Sequence, residues 1–260
     1  MTIETVTERA TRVLAPNPGP MTLDGTNTWI LRAPASSRVA VVDPGPLDPG
    51  HLRRVLDHVT SYDGAVATVL LTHGHADHAE GAAWFASHAG CGVRALDPAH
   101  RLGSEGLAEG DVVTVGDLRV DVLATPGHTS DSLSFWLPDE SSLLTGDTVL
   151  GRGTSVVAHP DGSLGAYLGS LRRLHTLATD VGVSTVLPGH GPTITDALAV
   201  LSYYLQHRTE RLDQVRAALA AGAGTPREIV EQVYADVDPV LWPAAELSVR
   251  AQLEYLAEET

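Results

Sequence analysis

Lysine is absent: every one of the 17 strongly basic side chains in this 260-residue sequence is arginine. That removes lysine Schiff-base chemistry and the phosphate-gripping lysine of a P-loop. A single cysteine, Cys91, excludes an intrachain disulfide framework and reads as a small packed residue. No apolar run approaches the ~20 residues needed to span a bilayer. Residues 1–19 are polar and interrupted by prolines, without the apolar stretch of a secretory signal. These absences point to a cytoplasmic protein with no membrane partner. Positive charge is outnumbered, leaving a formal net charge of −15. Such an excess disfavours long-range attraction of polyanions, so duplex DNA is not an expected partner.

What the chain does carry is patterned histidine. Residues 72–78 read Thr-His-Gly-His-Ala-Asp-His, directly after the apolar run 66–71, so His73, His75, Asp77 and His78 fall within six positions. Neutral imidazole nitrogens and carboxylate oxygens suit a borderline metal such as zinc, and also admit iron or manganese. On an extended turn His73 and His75 point the same way while Asp77 and His78 swing to a second point, so one motif can feed two metals. A histidine-rich surface loop is the bland alternative. Three further sites weigh against it. His128 lies in Thr-Pro-Gly-His-Thr, Asp147 in Thr-Gly-Asp-Thr and His190 in Pro-Gly-His-Gly-Pro. Each follows a short strand-like run and is flanked by Gly or Pro, the residues of tight loops at strand ends. Asp147 alone would read as a turn residue; in a set with five histidines it reads as a bridge between two cations.

On these residues the sequence resembles the metallo-β-lactamase-fold hydrolase superfamily, whose signature is His-x-His-x-Asp-His followed by a distant His, Asp and His. All seven ligand positions match. The resemblance implies a first metal held by His73, His75 and His128, a second held by Asp77, His78 and His190, and Asp147 shared by both. It implies two Zn²⁺ per chain, a hydroxide between them as nucleophile, and Asp77 as the catalytic residue that orients it. Ser130, Asp131 and Ser132, next to His128, are expected to support that ligand from behind.

The path of the chain fits the same architecture. Strand-like runs at 39–42, 66–71, 112–115, 118–124, 133–137 and 142–144 alternate with helical stretches from Asp48 to about His58, from Asp77 onward, and over 164–178. The expected fold class is α/β (α+β): a four-layer αβ/βα sandwich over residues 1–200, with the site along one rim. A small all-α module follows over 201–260. Its helices are expected from Asp196 to Ala220, from a capping box at Thr225-Pro226-Arg227-Glu228, and from Asp238-Pro239 to about Glu258. This tail resembles the winged-helix-like appendage of the β-lactamase-like protein 2 branch, with the β-wing missing or vestigial. The run 25–29 (Gly-Thr-Asn-Thr-Trp) and the pair His207-Arg208 with Arg211 also resemble that branch.

Substrate is read less directly. The branch includes endoribonucleases, so the resemblance implies a phosphodiesterase acting on single-stranded RNA, with Asn27, His207, Arg208 and Arg211 as substrate contacts. Charge opposes this: residues 209–260 hold four arginines against ten acidic residues, and a nucleic-acid reader needs a basic face. The second reading is a small-molecule substrate: a thioester, as in glyoxalase II-like enzymes, or a lactam or lactone. A diiron oxygen-handling protein of the same fold is a more remote third. His159, in a loop after the Asp147 motif, is a candidate proton donor, and His51, His58, His88, His100 and His175 read as surface or packing residues.

Overall fold

A computed structural model describes residues 2–259. Six strands form the first sheet in sequence order: β1 (Ile3–Thr5), β2 (Ala10–Leu14), β3 (Asn27–Leu31), β4 (Arg38–Val42), β5 (Ala65–Leu70) and β6 (Gly92–Arg94). The second sheet contains β7 (Val112–Val115), β8 (Leu118–Ala124), β9 (Leu133–Leu137), β10 (Ser142–Gly146) and β11 (Thr185–Pro188), in the order β11-β10-β9-β8-β7. Helices α1 (Pro49–Thr60), α2 (Ala76–Ala79) and α3 (Ala82–Ala89) follow strands of the first sheet. Helices α4 (Leu164–Val181) and α5 (Ala197–Ala220) flank the last strand of the second.

The layering follows from strands that are apolar on both faces, as buried strands must be. Val42 and Leu70 point between the sheets, where they meet Val122, Phe135 and Leu144. Their neighbours Val41 and Val69 point outward, against Leu52 and Val55 of α1 and Phe85 of α3. On the far side Leu143 and Val186 pack beneath Tyr167, Leu171 and Leu174 of α4 and Leu201 of α5. The result is the expected four-layer αβ/βα sandwich.

Strand direction then gathers the loops. β5 runs parallel to β4 and β6. β8 and β10 are each antiparallel to β9, so they share a direction, and β11 is parallel to β10. Everything that follows β5, β8, β10 and β11 therefore emerges on one rim.

Three local expectations change. The helix read as continuous from Asp77 is two pieces, because the chain at Gly81 presses on backbone: a Cβ there would lie 2.9 Å from the carbonyls of Gly45 and Pro46. The first two strands fall in the polar N-terminus, where the exposed β1 and the half-buried β2 carry no apolar run to betray them. The last helix, α7 (Trp242–Glu258), starts later than Asp238; a short 3₁₀ turn over Pro239–Leu241 comes first, and Pro243 sits in the helix's opening turn.

The tail is all-helical, with no strand among the described residues after Pro188. α6 (Pro226–Val233) opens with the capping box, Thr225 accepting from the Glu228 N–H and Glu228 reaching back, a device worth ~1 kcal/mol. α5 is continuous across residues 200 and 201: Leu201 and Tyr204 belong to the sandwich, Val215 and Ala218 to the module with α6 and α7. No helix among the described residues is long and apolar enough to cross a membrane.

Candidate metal centre and adjoining cavity

Five imidazoles and two carboxylates from the four loops converge on the rim. His73, His75 and His128 bring ring nitrogens together, with His75 Nδ1 lying 3.0 Å from both His73 Nε2 and His128 Nε2. Asp77, His78 and His190 form a second group: His190 Nε2 is 3.2 Å from His78 Nε2 and 3.1 Å from Asp77 Oδ2. Asp147 reaches both, 3.7 Å from His128 Nε2, 3.4 Å from His78 Nε2 and 3.3 Å from His190 Nε2. All seven sequence-predicted ligands are thus brought together.

Their outward nitrogens fix the tautomers. His128 Nδ1 donates to the Val156 carbonyl at 2.7 Å, His190 Nδ1 to the Gly25 carbonyl at 3.1 Å and His78 Nδ1 to Asp43 Oδ2 at 2.8 Å. Thr72 Oγ1 gives its own proton to Asp43 at 2.6 Å, so it accepts from His73 Nδ1 at 3.0 Å. When all four rings are neutral, as metal ligation requires, their inward Nε2 atoms are lone pairs that face one another and cannot bond each other. Asp147 Oδ1, buried beside them, has no hydrogen-bond partner. Zinc–nitrogen bonds of about 2.0–2.1 Å in a tetrahedral shell put ligand atoms roughly 3.3 Å apart, close to the spacings found. The residues fit a pair of metal ions.

Electrostatics divides the two groups. Burial drives His73 well below 6.5, helped by repulsion from His78, so it is neutral. Burial also opposes charge on His78, but Asp147 and Asp43 outweigh it and lift His78 well above 6.5. His190 is likewise lifted against burial, by Asp147 and Asp77, to about 9. Burial would raise Asp147, yet His78 and His190 hold it well below the carboxylate range. Asp77 is opposed by burial and held down by its bond to His190; its side chain keeps 28% exposure. It is an ionised carboxylate at the open edge of the centre, able to accept a hydrogen bond there.

Packing enforces the arrangement. At Gly189 a Cβ would sit 2.5 Å from Asp147 Oδ1 and 2.8 Å from His78 Cε1, and at Gly127 it would strike the Tyr167 backbone at 2.3 Å. Only glycine lets these loops close.

Asp43 is the functional residue that sequence reasoning passed over. Besides bonding His78 and the Thr72 hydroxyl, it accepts from the Thr72 N–H at 2.8 Å, so it orients two ligands at once. Its signal was its place at the end of β4, before Pro44-Gly45, with a left-handed backbone (φ 48°) that a tight loop start demands. Support for His128 comes from Val156 and from Ser155 Oγ at 3.2 Å. Thr129, Asp131 and Ser132 instead bond among themselves, and Ser130 bonds Asp161. His159 lies elsewhere, 4.0 Å from Glu254. His100, read as a surface or packing residue, does pack, with its ring over Gly74 between two ligands.

A cavity of about 390 Å³ adjoins His128 and Asp147. Its walls include Pro20, Met21 and Leu23, Val237, Leu241 and Ala245, and Tyr203, His207, Arg208 and Arg211 of α5. The expected substrate contacts divide. His207 lines the cavity, its ring stacked on Tyr203, and burial with nearby Arg208 and Arg211 keeps its pKa below 6.5. Arg208 is buried and Arg211 is engaged with the Val233 carbonyl and the Tyr234 ring. Asn27 is away from the cavity; its amide donates at 2.9 Å to the carbonyls of Pro188 and Gly191, pinning the His190 loop.

A family model for the metallo-beta-lactamase superfamily matches residues 21–190, the span that carries every ligand. The chain belongs to the metallo-β-lactamase superfamily. A second model, the beta-lactamase associated winged helix domain, matches residues 225–260. Among curated relatives, the lactamase-like protein aptB of Emericella nidulans is 33% identical over 93% of this chain and 82% of its own length. The beta-lactamase-like protein 2 homolog of Caenorhabditis elegans is 30% identical, over 99% and 87%. A metallo-beta-lactamase family protein from Thermus thermophilus shares the fold, with a TM-score of 0.80 at 23% identity over 98% of this chain and 95% of that one. This metallo-β-lactamase-fold hydrolase therefore carries both the sandwich and the C-terminal module of the β-lactamase-like protein 2 group, as its sequence led one to expect.

Proposed function

We propose that this chain is a zinc-dependent hydrolase of a small carbonyl compound with an apolar body: a thioester, lactone or lactam. The observation that carries the reading is the cavity. It opens onto His128 and Asp147, has room for one small molecule, and is walled mainly by apolar side chains from both parts of the chain.

The single-stranded RNA reading asks for free cations along a track, and the cations here are engaged. Arg208 and Arg211 bond backbone carbonyls, and Arg152 at the cavity mouth pairs with Asp24 at 2.5 and 3.0 Å. The net charge of −15 acts in the same direction.

His73, His75 and His128 would hold one ion, Asp77, His78 and His190 the other, with Asp147 between them. Metal bound there supplies Lewis acidity and makes water a nucleophile near neutral pH. The chain's own groups do the remainder. Asp43, Val156 and Gly25 hold the ligand rings in register. Asp77 accepts a proton at the open edge, and the apolar walls exclude bulk water from the reacting carbonyl. Donors of nitrogen and oxygen accept zinc, iron or manganese, and resident iron would move the reading towards the oxygen-handling alternative.

The test is a side-by-side assay of metal-loaded protein on S-lactoylglutathione, an aryl thioester, a chromogenic cephalosporin and labelled single-stranded RNA, with metal content measured on protein purified without added zinc. Turnover of a carbonyl substrate that is insensitive to salt supports the proposal. Cleavage of RNA alone, falling steeply with salt as counterion release requires, overturns it.

A further inference from the structure

The loop between the Asp147 ligand and α4 supplies the carbonyl that fixes His128, and it is tied down by helices that carry no candidate metal ligand. Tyr167 of α4 donates through its hydroxyl to the Thr148 carbonyl at 2.6 Å. Tyr204 of α5 takes the Leu150 N–H at 2.8 Å and donates to the Gly153 carbonyl at 3.3 Å. One turn further along α5, Arg208 donates to the Ser155 carbonyl. The next carbonyl, that of Val156, holds His128 Nδ1.

Arg208 is an unusual group to find there. It is 5% exposed, forms no ion pair among the described residues, and has its guanidinium carbon 4.9 Å from the centroid of the Tyr167 ring. Its Nε is enclosed without a partner. Burying a charge without a counter-ion is costly, so the position has to be doing something an apolar side chain would not. Arg208 borders the cavity, but a terminal nitrogen donates to the protein's own backbone and the guanidinium lies over a tyrosine ring, a hold that serves the protein's own loop.

We infer that Arg208 is a positioning residue of the metal centre: by holding the Ser155 carbonyl it sets the Val156 carbonyl, and through it the orientation and tautomer of His128. Tyr167 and Tyr204 hold the Asp147 end of the same loop, so the effect of Arg208 falls on the His73–His75–His128 group and not on Asp77–His78–His190. The planar guanidinium matters here, because an ammonium offers neither the fork nor the stacking face.

Arg208→Lys and Arg208→Met test this through zinc and cobalt(II) titration of metal-stripped protein. Affinity at the all-histidine group should fall about ten- to a hundredfold, the usual cost of losing an outer partner of a ligand, leaving close to one tight equivalent per chain. Cobalt(II) absorption separates the all-histidine environment from the mixed carboxylate one. Metal affinity unchanged at both groups, with a raised KM, would make Arg208 a substrate contact and overturn the inference. Equal loss at both groups would mark a general folding role and overturn it as well. A measurement free of metal guards against a variant that folds poorly: in Arg208→Lys, the His128 Nδ1–H signal of histidine-labelled protein should exchange faster with solvent, while that of His190 stays put. Unaltered protection of His128 would refute the coupling.

Discussion

The metal centre and the cavity beside it share two side chains, His128 and Asp147, yet they are built on opposite principles. The centre is polar, its His73, His78 and His190 are almost completely buried, and the outward Nδ1 of each is held by a named neighbour. Its ligands come from four short motifs at the ends of strands that run the same way. The cavity is apolar and partly open, and its walls come from the N-terminal loop, the loop after Asp147, α5 and the α6–α7 region. Chemistry is therefore set where geometry is over-determined, and substrate preference where only shape and apolar area are at stake. Changes in the first region should act on every substrate alike; changes in the second, Arg208 apart, should sort substrates and leave the metal untouched.

The strongest attempt to break that contrast is Asp77→Asn. It removes a ligand and the one ionised carboxylate at the open edge, and turnover should drop by about 10²–10⁴-fold, the range for loss of an acid–base group, on whichever substrate is used. A loss confined to one substrate would place Asp77 with the cavity instead. Asp43→Asn comes next. It touches no substrate, but it weakens the hold on Thr72 and His78 together, so metal affinity should fall about 10–100-fold, read by competition with a chelator.

His51 gives a smaller effect of a different kind. It is fully buried, and Thr28 donates to the Asp43 carbonyl, so His51 Nε2 must be the donor to Thr28 at 2.9 Å. Burial and nearby Arg54 lower its pKa to about 4 from 6.5. A depressed folded-state pKa means its neutral form contributes fully above pH 6.5 and is opposed as pH falls towards 4. About 3 kcal/mol of stability should be lost across that window. Denaturant unfolding of metal-stripped protein should show this acid limb, and His51→Gln, which keeps a donor but does not titrate, should flatten it. Leu241→Ser should have the least effect: KM for an apolar substrate up by about tenfold, in the range for trimming one hydrophobic contact, with metal content unchanged. Lost metal in that variant would show that the two regions are not separable.

Much of the centre was legible because its information is local. A histidine, aspartate and glycine pattern after an apolar run names both the ligand and the turn that presents it, and parallel strand ends explain why four such turns meet. α1, α5 and the Thr225 capping box were legible for the same reason: caps and periodicity lie within a few residues of each other. Asp43 was not, since an aspartate before Pro-Gly looks like any loop start until folding sets it against Thr72 and His78. Strands β1 and β2 lacked the apolar run that marks a buried strand. Asn27, Arg208 and Arg211 were visible as polar residues in suggestive places, but sequence gives no direction to a side chain, and all three turn inward onto backbone carbonyls.

By itself, the order of residues determined the candidate ligand set, the family and the layered fold, because each depends on spacing along the chain and on which faces of an element are apolar. Only the tertiary structure decided which carbonyl holds which ring, that α5 braces the loop behind His128, and that Met21, Leu150 and Leu241, separated by about a hundred residues, line a single cavity. Those relations depend on distances between segments that folding alone brings together, and no local pattern encodes them.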